Sequence, residues 1–502
     1  MAGPHTDYAM PGIANPTDTN VIYSSSSDGV CYYASNGYKY VGSAGSSAYG
    51  ATFTEGDIIG MALNLVDDEI TYYKNGVSQG AITGIPTPAL WVAAITNPAT
   101  SAGVFNFGQD SSFSGNVTAQ GNQDENDIGD FYYTPPAGFL ALCTSNLPDP
   151  AIALPTENFN TLLWTGDASS DRTVSGVGFQ PDLFWMKSRN NASNYRICDS
   201  VRGDNGTRMY TINNNTTSAQ GTDTSILSLT SDGFTTDNNA ATGGGNAAGS
   251  NLVGWMWKAG GAASANTDGS LDSTVSANPT AGFSIVKYTG NSASAQTIGH
   301  GLSVAPELII VKNLTDVVFW PCGTIYGGGW TKYFNFDSVE PQQDNTYFND
   351  TAPTASVFSV DTNNAVNGNT NEHIAYCFHS VEGYSKVGVY TGNGSGTGGE
   401  VADGPFAYTG FLPEFVIIKQ IDSPNEGWSA WDGTREPYNT VDLQMDINGN
   451  RAEYTANAVT FAIDFLSNGF KIRTAYSSMN KNALDYIYVA VAKSPFKTST
   501  AR

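Results

Sequence analysis

The chain has 502 residues, with 22 Lys and Arg against 46 Asp and Glu, a formal net charge of −24. Hydrophobic residues make up 40% of it and charged residues only 14%, so ample core material goes with a surface that Asn, Ser, Thr and Gly must cover. The acidic balance argues against nucleic acid, whose binders displace counterions with a basic stripe, and against anionic membrane surfaces. A bilayer-spanning helix is not expected either, because no apolar run reaches the roughly 18 residues that one needs.

The start, MAGPHTDYAMPGIANP, lacks the basic end and apolar stretch of a secretory signal, which predicts synthesis in the cytoplasm without secretion. Cys31, Cys143, Cys198, Cys322 and Cys377 are odd in number, far apart and free of any CxxC pair. Buried reduced thiols are expected, not a disulfide framework or a zinc ribbon.

Short β-branched and aromatic runs alternate with turn residues along the chain, and helical periodicity is scarce, so the fold class is all-β. In the first region, residues 1–130, Ile59, Met61, Leu63 and Leu65 alternate with small or polar residues, as in a half-buried strand. Asp67-Asp68 turns the chain, Ile70 and Tyr72 begin the return, and Asn75-Gly76 supplies a second, tight reversal. Two successive hairpins of a β-sandwich follow. The patterns GDIIGMALNL and YYKNGVSQG resemble the central hairpins of SPRY domains, and VFNFGQ (Val104 to Gln109) is similar to the strand that closes that sandwich. The resemblance covers residues 20–109 and lacks the aromatic-rich opening strand, which implies a partial SPRY/concanavalin-like sandwich with its N-terminal strands missing.

A polar loop then ends in an acidic cluster. Asp124, Asp127 and Asp130 are the weak calcium candidates, since calcium takes several oxygen ligands. Ile128 occupies a ligand position of the EF-hand pattern and no Glu closes the loop, so a solvated acidic loop without a cofactor is expected. Residues 131–150, rich in proline, read as a linker.

The remainder repeats itself three times. PDLFWMK (Pro181 to Lys187), PELIIVK (Pro306 to Lys312) and PEFVIIK (Pro413 to Lys419) each follow an aromatic-Thr-Gly triplet: Trp164-Thr165-Gly166, Tyr288-Thr289-Gly290 and Tyr390-Thr391-Gly392. Each copy ends in a long apolar run: LVGWMW, HIAYCF or YIYVAVA. Proline opens a strand where its missing N–H costs nothing, and consecutive apolar side chains imply burial on both faces. The lysine then marks the exit to solvent. This reading gives three related β-sandwich modules at 151–260, 281–381 and 382–502, with a Gly/Ala/Ser/Asn linker at 261–280, strung as beads or packed around an axis.

FYYTPPAGFLALCTSNLP (Phe131 to Pro148) and GFQPDLFWMK (Gly178 to Lys187) resemble a family of tailed-bacteriophage virion proteins. The resemblance implies a structural protein of the virion, made in the host cytoplasm, rather than an enzyme. Its expected role is a tail fibre or spike that helps attach the particle to host-surface glycans. An outer-capsid decoration protein and a polysaccharide-degrading spike are the alternatives. Expected partners are other virion proteins and further copies of the chain, with a trimer favoured.

Candidate chemistry is sparse. Asp199 and Arg202 recur as Asp432 and Arg435, whereas the second repeat has Gly323 and Thr324 there, so both pairs are expected to brace loops rather than catalyse. His5, His300, His373 and His379 carry no metal-site or general-base pattern, and no nucleophile elbow or phosphate loop occurs. Tyr195, Trp330, Tyr333, Trp428 and Tyr438 lie in Gly/Asn/Ser-rich stretches and are the candidate sugar-stacking tips.

Overall fold

Alternating and continuous apolar runs both become antiparallel strands. The structure, a computed structural model, describes residues 9–15, 28–87, 91–96, 103–222, 225–238, 244–396, 402–454 and 460–499. It divides into two units, Met1–Pro148 and Asp149–Arg502.

In the first unit, strands Ile59–Asn64, Glu69–Lys74 and Val77–Thr83 form the meander expected from the two turns. Asn75 and Gly76 both take positive φ, 47° and 80°, as the tight reversal requires. A second sheet has the order Ser46–Ala48, Tyr38–Val41, Val30–Tyr32, Met10–Ala14, Val92–Thr96. Ile70, Tyr72 and Ile82 from the meander meet Ile13, Val30, Tyr32 and Phe53 in a common core. Val104 to Gln109 is not a strand: Asn106 Oδ1 accepts from the backbone N–H groups of Gly108, Gln109 and Asp110, a local turn that competes with ladder pairing.

Nor is the segment from 131 a free linker. Phe131 pairs with Asn122, and the N–H of buried Ala141 donates to Asp124, so residues 131–148 fold back onto this unit.

The second unit contains three β-sandwich modules with one strand order. In each main sheet an opening strand pairs with the closing strand, then with the lysine strand, then with an outer strand. Module 1 uses Phe159–Thr165, Asn251–Trp257, Leu183–Ser188 and Arg196–Asp199. Module 2 uses Phe283–Thr289, Glu372–Phe378, Leu308–Asn313 and Pro321–Thr324. Module 3 uses Ser385–Thr391, Asp485–Pro495, Phe411–Gln420 and Trp428–Asp432. Pro181 and Pro306 sit just ahead of their strands, whereas Pro413 lies inside a longer one, where the pairing register shifts around it. The segment 261–280 is not a linker either: Ser264–Asn266 and Ser273–Asn278 extend the main sheet of module 2, burying Ser273, Val275 and Ser276.

Burial on both faces of the lysine strand has a specific meaning. Phe184 and Met186, Ile309 and Val311, and Val416 and Ile418 fill the sandwich of their own module. Leu183 and Trp185, Leu308 and Ile310, and Phe415 and Ile417 all point into one further core shared by the three modules. The modules therefore pack around an axis and are not beads. An apolar cavity of about 40 Å³, lined among others by Trp185, Ile310, Ile417 and Trp428, remains in that shared core.

Candidate functional site

Lys187, Lys312 and Lys419 do not exit to solvent; all three are fully buried. Each ammonium instead reaches a backbone carbonyl of a neighbouring module. Lys187 Nζ donates to Asn450 O at 3.3 Å, Lys312 Nζ to Thr217 O at 3.0 Å, and Lys419 Nζ to Val339 O at 3.2 Å. Thus module 1 binds module 3, module 2 binds module 1 and module 3 binds module 2, a closed ring. Burial pushes each of the three lysines down to about 8. The ring closes in the backbone as well: the carbonyl two residues after each lysine accepts an N–H across the seam, from Glu453 to Arg189, Gln220 to Leu314, and Gln342 to Ile421.

Four of the five aromatic candidates are buried, two of them across the seams and two inside module 2. Tyr195 is buried and its hydroxyl donates to Asp446 O at 2.7 Å; Trp428 is buried and its Nε1 donates to Asn335 O at 3.1 Å. Trp330 packs edge-on against Phe348, and Tyr333 against Tyr347. Their Gly/Asn/Ser-rich surroundings are seams and turns, not tips. Only Tyr438 of the five is exposed, at 80%.

Asp199–Arg202 and Asp432–Arg435 are buried ion pairs. Asp199 accepts from the Tyr376 hydroxyl of module 2 at 2.8 Å, and Asp432 from Trp255 Nε1 of module 1 at 3.0 Å. By strand register the corresponding positions at the remaining seam are Thr324 and Val489, and valine has no donor to offer. The missing pair of the second repeat is thus matched by a missing donor on the third. These pairs brace seams and touch no open cleft.

One recurrent residue escaped notice in the sequence. Asn246, Asn367 and Asn480 are fully buried, each five residues ahead of its closing strand. Their Oδ1 atoms accept from the N–H of Asp167, Asn291 and Asn393, and their Nδ2 atoms donate to the carbonyls of Ser169, Ala293 and Ser395. The fixed spacing to the closing strand was a usable signal. The Gly of the aromatic-Thr-Gly triplet fits the same device, since a Cβ on Gly290 would stand 2.4 Å from Gly368 O.

The calcium candidates are not gathered around a common centre. Asp124 is saturated by N–H groups of Asn126, Ile128 and Ala141 and by Asn146 Nδ2, while Asp130 accepts from Ser111 N–H. Among the described residues no three His, Cys, Asp or Glu side chains are placed to hold a metal ion. His300 and His373 are buried against backbone carbonyls, and burial lowers both, His373 to about 4. His5 lies outside the described residues. Four cysteines are buried, but Cys143 is exposed, contrary to expectation.

The accessible candidate is therefore the Tyr438 loop, which follows the outer strand of module 3. Asn439 clamps it to the second sheet, donating to Phe465 O and accepting from Phe465 N–H, both at 2.8 Å. Glu436 spans it, accepting from the N–H groups of Asp442 and Leu443, each at 2.6 Å. Burial pushes Glu436 up to about 7, with the Asp442 charge and their mutual hydrogen bond adding to the rise and the two N–H groups opposing it. An aromatic ring held outward by two clamps can stack on a flat apolar face such as that of a sugar.

Comparison with known proteins gives two family matches. A SPRY domain spans residues 12–110, starting within strand Met10–Ala14 and so ahead of the residue 20 read from the sequence. The model described as "Domain of unknown function (DUF7483)" matches residues 154–495. Ran-binding protein 9 of Xenopus tropicalis is 37% identical over 79 residues, 16% of this chain and 14% of the relative. The human Ran-binding protein 9 is 35% identical over 79 residues, 16% and 11% of the two chains. The Ran-binding proteins 9/10 homolog of Drosophila melanogaster is 35% identical over 80 residues, 16% and 8%. The chain thus spans only 14% or less of the length of these curated relatives. No solved structure matches. Because the DUF7483 match covers most of its length, the chain belongs to that family, with a SPRY domain at its N-terminal end.

Proposed function

We propose that this protein is a non-enzymatic structural component of a bacteriophage virion, part of a tail fibre or spike that contacts host-surface glycans. The phage context rests on the resemblance of residues 131–148 and 178–187. The observation that carries the role is how the chemistry-bearing side chains are spent: the lysines, the Asp–Arg pairs, Tyr195 and Trp428 brace the ring, Trp330 and Tyr333 pack inside module 2, and Tyr438 alone of those candidates faces outward. In this reading the ring is a stiff mount, and the Tyr438 loop is its contact.

The relatives of the SPRY domain are named for binding the protein Ran. By analogy the SPRY unit is the end that docks on another virion protein. A homotrimer would present three Tyr438 loops, and avidity would raise a weak single-site affinity; a monomeric mass at micromolar concentration would remove that part. No cofactor enters the reading.

The test is binding of the purified protein to host envelope glycans. Tyr438→Ala should lose at least ten-fold in affinity while its melting temperature stays within a degree or so, since exposed side chains contribute little to stability. Unaltered binding would overturn the assignment of the contact, and release of shorter saccharides would replace it with a degrading spike. The threefold repetition of the lysine contacts favours a second reading, an outer-capsid decoration protein seated on shell symmetry axes. Regular occupancy of those positions in particle images would decide for it.

A further inference from the structure

We propose that the outer edge of strand Phe159–Thr165 in module 1 is a docking site for an extended, uncharged segment of a partner protein, which joins the sheet as an added antiparallel strand. The site does not involve Tyr438.

The three modules treat the same edge in three ways. In module 2 the chain itself covers the opening strand: Ser273–Asn278 pairs with Phe283–Thr289, and Ser264–Asn266 follows outside it. In module 3 side chains cap part of the edge. The Val387 N–H donates to Ser380 Oγ at 3.0 Å, and its carbonyl accepts from the Tyr326 hydroxyl at 3.1 Å. Module 1 has no added strand: Phe159–Thr165 pairs only with Asn251–Trp257 and ends its sheet.

The register fixes which groups face outward. Gly166 N–H donates to Ser250 O and Lys258 N–H to Asn158 O, one at each end of that ladder. Antiparallel pairs alternate between bonded and unbonded. Asn160, Leu162 and Trp164 therefore bond inward, while Thr161, Leu163 and Thr165 turn their N–H and C=O groups outward. The Thr161 N–H goes to Asn160 Oδ1 at 2.9 Å, and Thr165 O accepts from Arg172 Nη1 at 2.6 Å. Among the described residues nothing meets the N–H and C=O of Leu163, whose side chain is 39% exposed. Exposed edges ordinarily carry a lysine, a proline or a bulge that discourages pairing. Phe159–Thr165 has none of these, and its register runs without a shift. The equivalent strands of modules 2 and 3 contain Lys287 and Lys386.

The strand at the equivalent place in module 2 shows the chemistry of the occupant. When the two aromatic-Thr-Gly triplets are aligned, a segment like Ser273–Asn278 sets Thr274 against Leu163 and Ser276 against Thr161. Its Val275 then lies over Leu162, which is only partly buried in the module 1 core. Such a segment is uncharged, with small or β-branched side chains. Main-chain bonds supply the affinity and the Val275-like contact the register. A second copy fits this edge less well. One strand pair between two rigid bodies falls short of the roughly 800 Å² per partner of a stable interface, and at −24 charges each the copies repel.

The probe is a blocked peptide of this chain's own residues 271–279, added in excess to the full chain and read by amide hydrogen exchange. Protection of the Leu163 and Thr165 amides should rise by about ten-fold or more, as new ladder bonds require. The Lys287 amide, already paired with Thr274, should not change. A peptide carrying Ser276→Pro lacks a ladder donor and should protect neither amide. In the protein, Leu163→Pro removes the outward donor and leaves the inner ladder intact, while Leu163→Lys adds a charge that discourages pairing. Both should abolish the gain at Thr165. Unchanged protection with the peptide, or an equal gain from its Ser276→Pro form, would overturn the proposal. Protection that rises with protein concentration alone would give the edge to a second copy and overturn the occupant proposed.

Discussion

Lys187, Lys312 and Lys419 hold the ring by donating hydrogen bonds to carbonyls that belong to other modules, yet burial lowers all three to about 8. Below that pH both folded and unfolded chains are charged, and the folded chain carries the desolvation penalty. Between about 8 and the ordinary lysine value of roughly 10.4 the unfolded chain still binds protons that the folded chain has released, so stability rises with pH across that window. Lys312→Met leaves Thr217 O and Val318 O without their donor, which should destabilise by about 1–3 kcal/mol at pH 7. Denaturant titrations should show that deficit widening between pH 8 and 10; a constant deficit would mean that the lysine is not perturbed. The spacing from proline to lysine was legible in the sequence because local strand chemistry sets it. The lysine's destination was not, since its acceptors lie in another module. Tyr195 and Trp428 were misplaced for the same reason, since Gly, Ser and Asn mark turns and a neighbouring module covers these two, whereas Trp330 and Tyr333 fold into the core of module 2 itself.

At the scale of strands, four consecutive apolar residues correctly implied two buried faces, but not that one face belonged to a second core. Leu183 and Trp185 face that shared core, whereas Phe184 and Met186 face their own sandwich, a division set by the period of two. The Asp–Arg pairs were legible as braces because the second repeat lacks one. Removing the Arg435 guanidinium strands a buried Asp432 together with the carbonyls of Leu443 and Ala430. Arg435→Ala should therefore cost about 3–5 kcal/mol, seen as a large drop in melting temperature. Replacing Gly290 with Ala should also destabilise, because the new Cβ would stand 2.4 Å from Gly368 O, where backbone must move. A neutral result in calorimetry would show that the loop after the triplet yields more easily than its buried asparagine suggests.

For the whole second unit, a common core means common stability. Trp320 lies in module 2, but its side chain belongs to the shared core and its Nε1 donates to Thr216 O of module 1 at 3.0 Å. Trp320→Ala should cost about 3–5 kcal/mol. Scanning calorimetry should show this loss lowering one cooperative transition for all three modules, whereas three separable transitions would return them to independent beads. The all-β class and the existence of three copies were evident in composition and spacing. Closure was not, because it depends on pairs such as Arg189 and Glu453, which the sequence separates by more than half of its length.

Arg189 meeting Glu453 has one more consequence. A circle has no first member, and the chain happens to enter this one at Asp149 and leave it near Lys497, whose side chains pair at 2.8 Å. In residues 149–497 alone, tying those ends with a few flexible residues and cutting the more exposed passage at 260–263, between modules 1 and 2, would start the polypeptide elsewhere on the same circuit. Such a rearranged chain should fold to the same object.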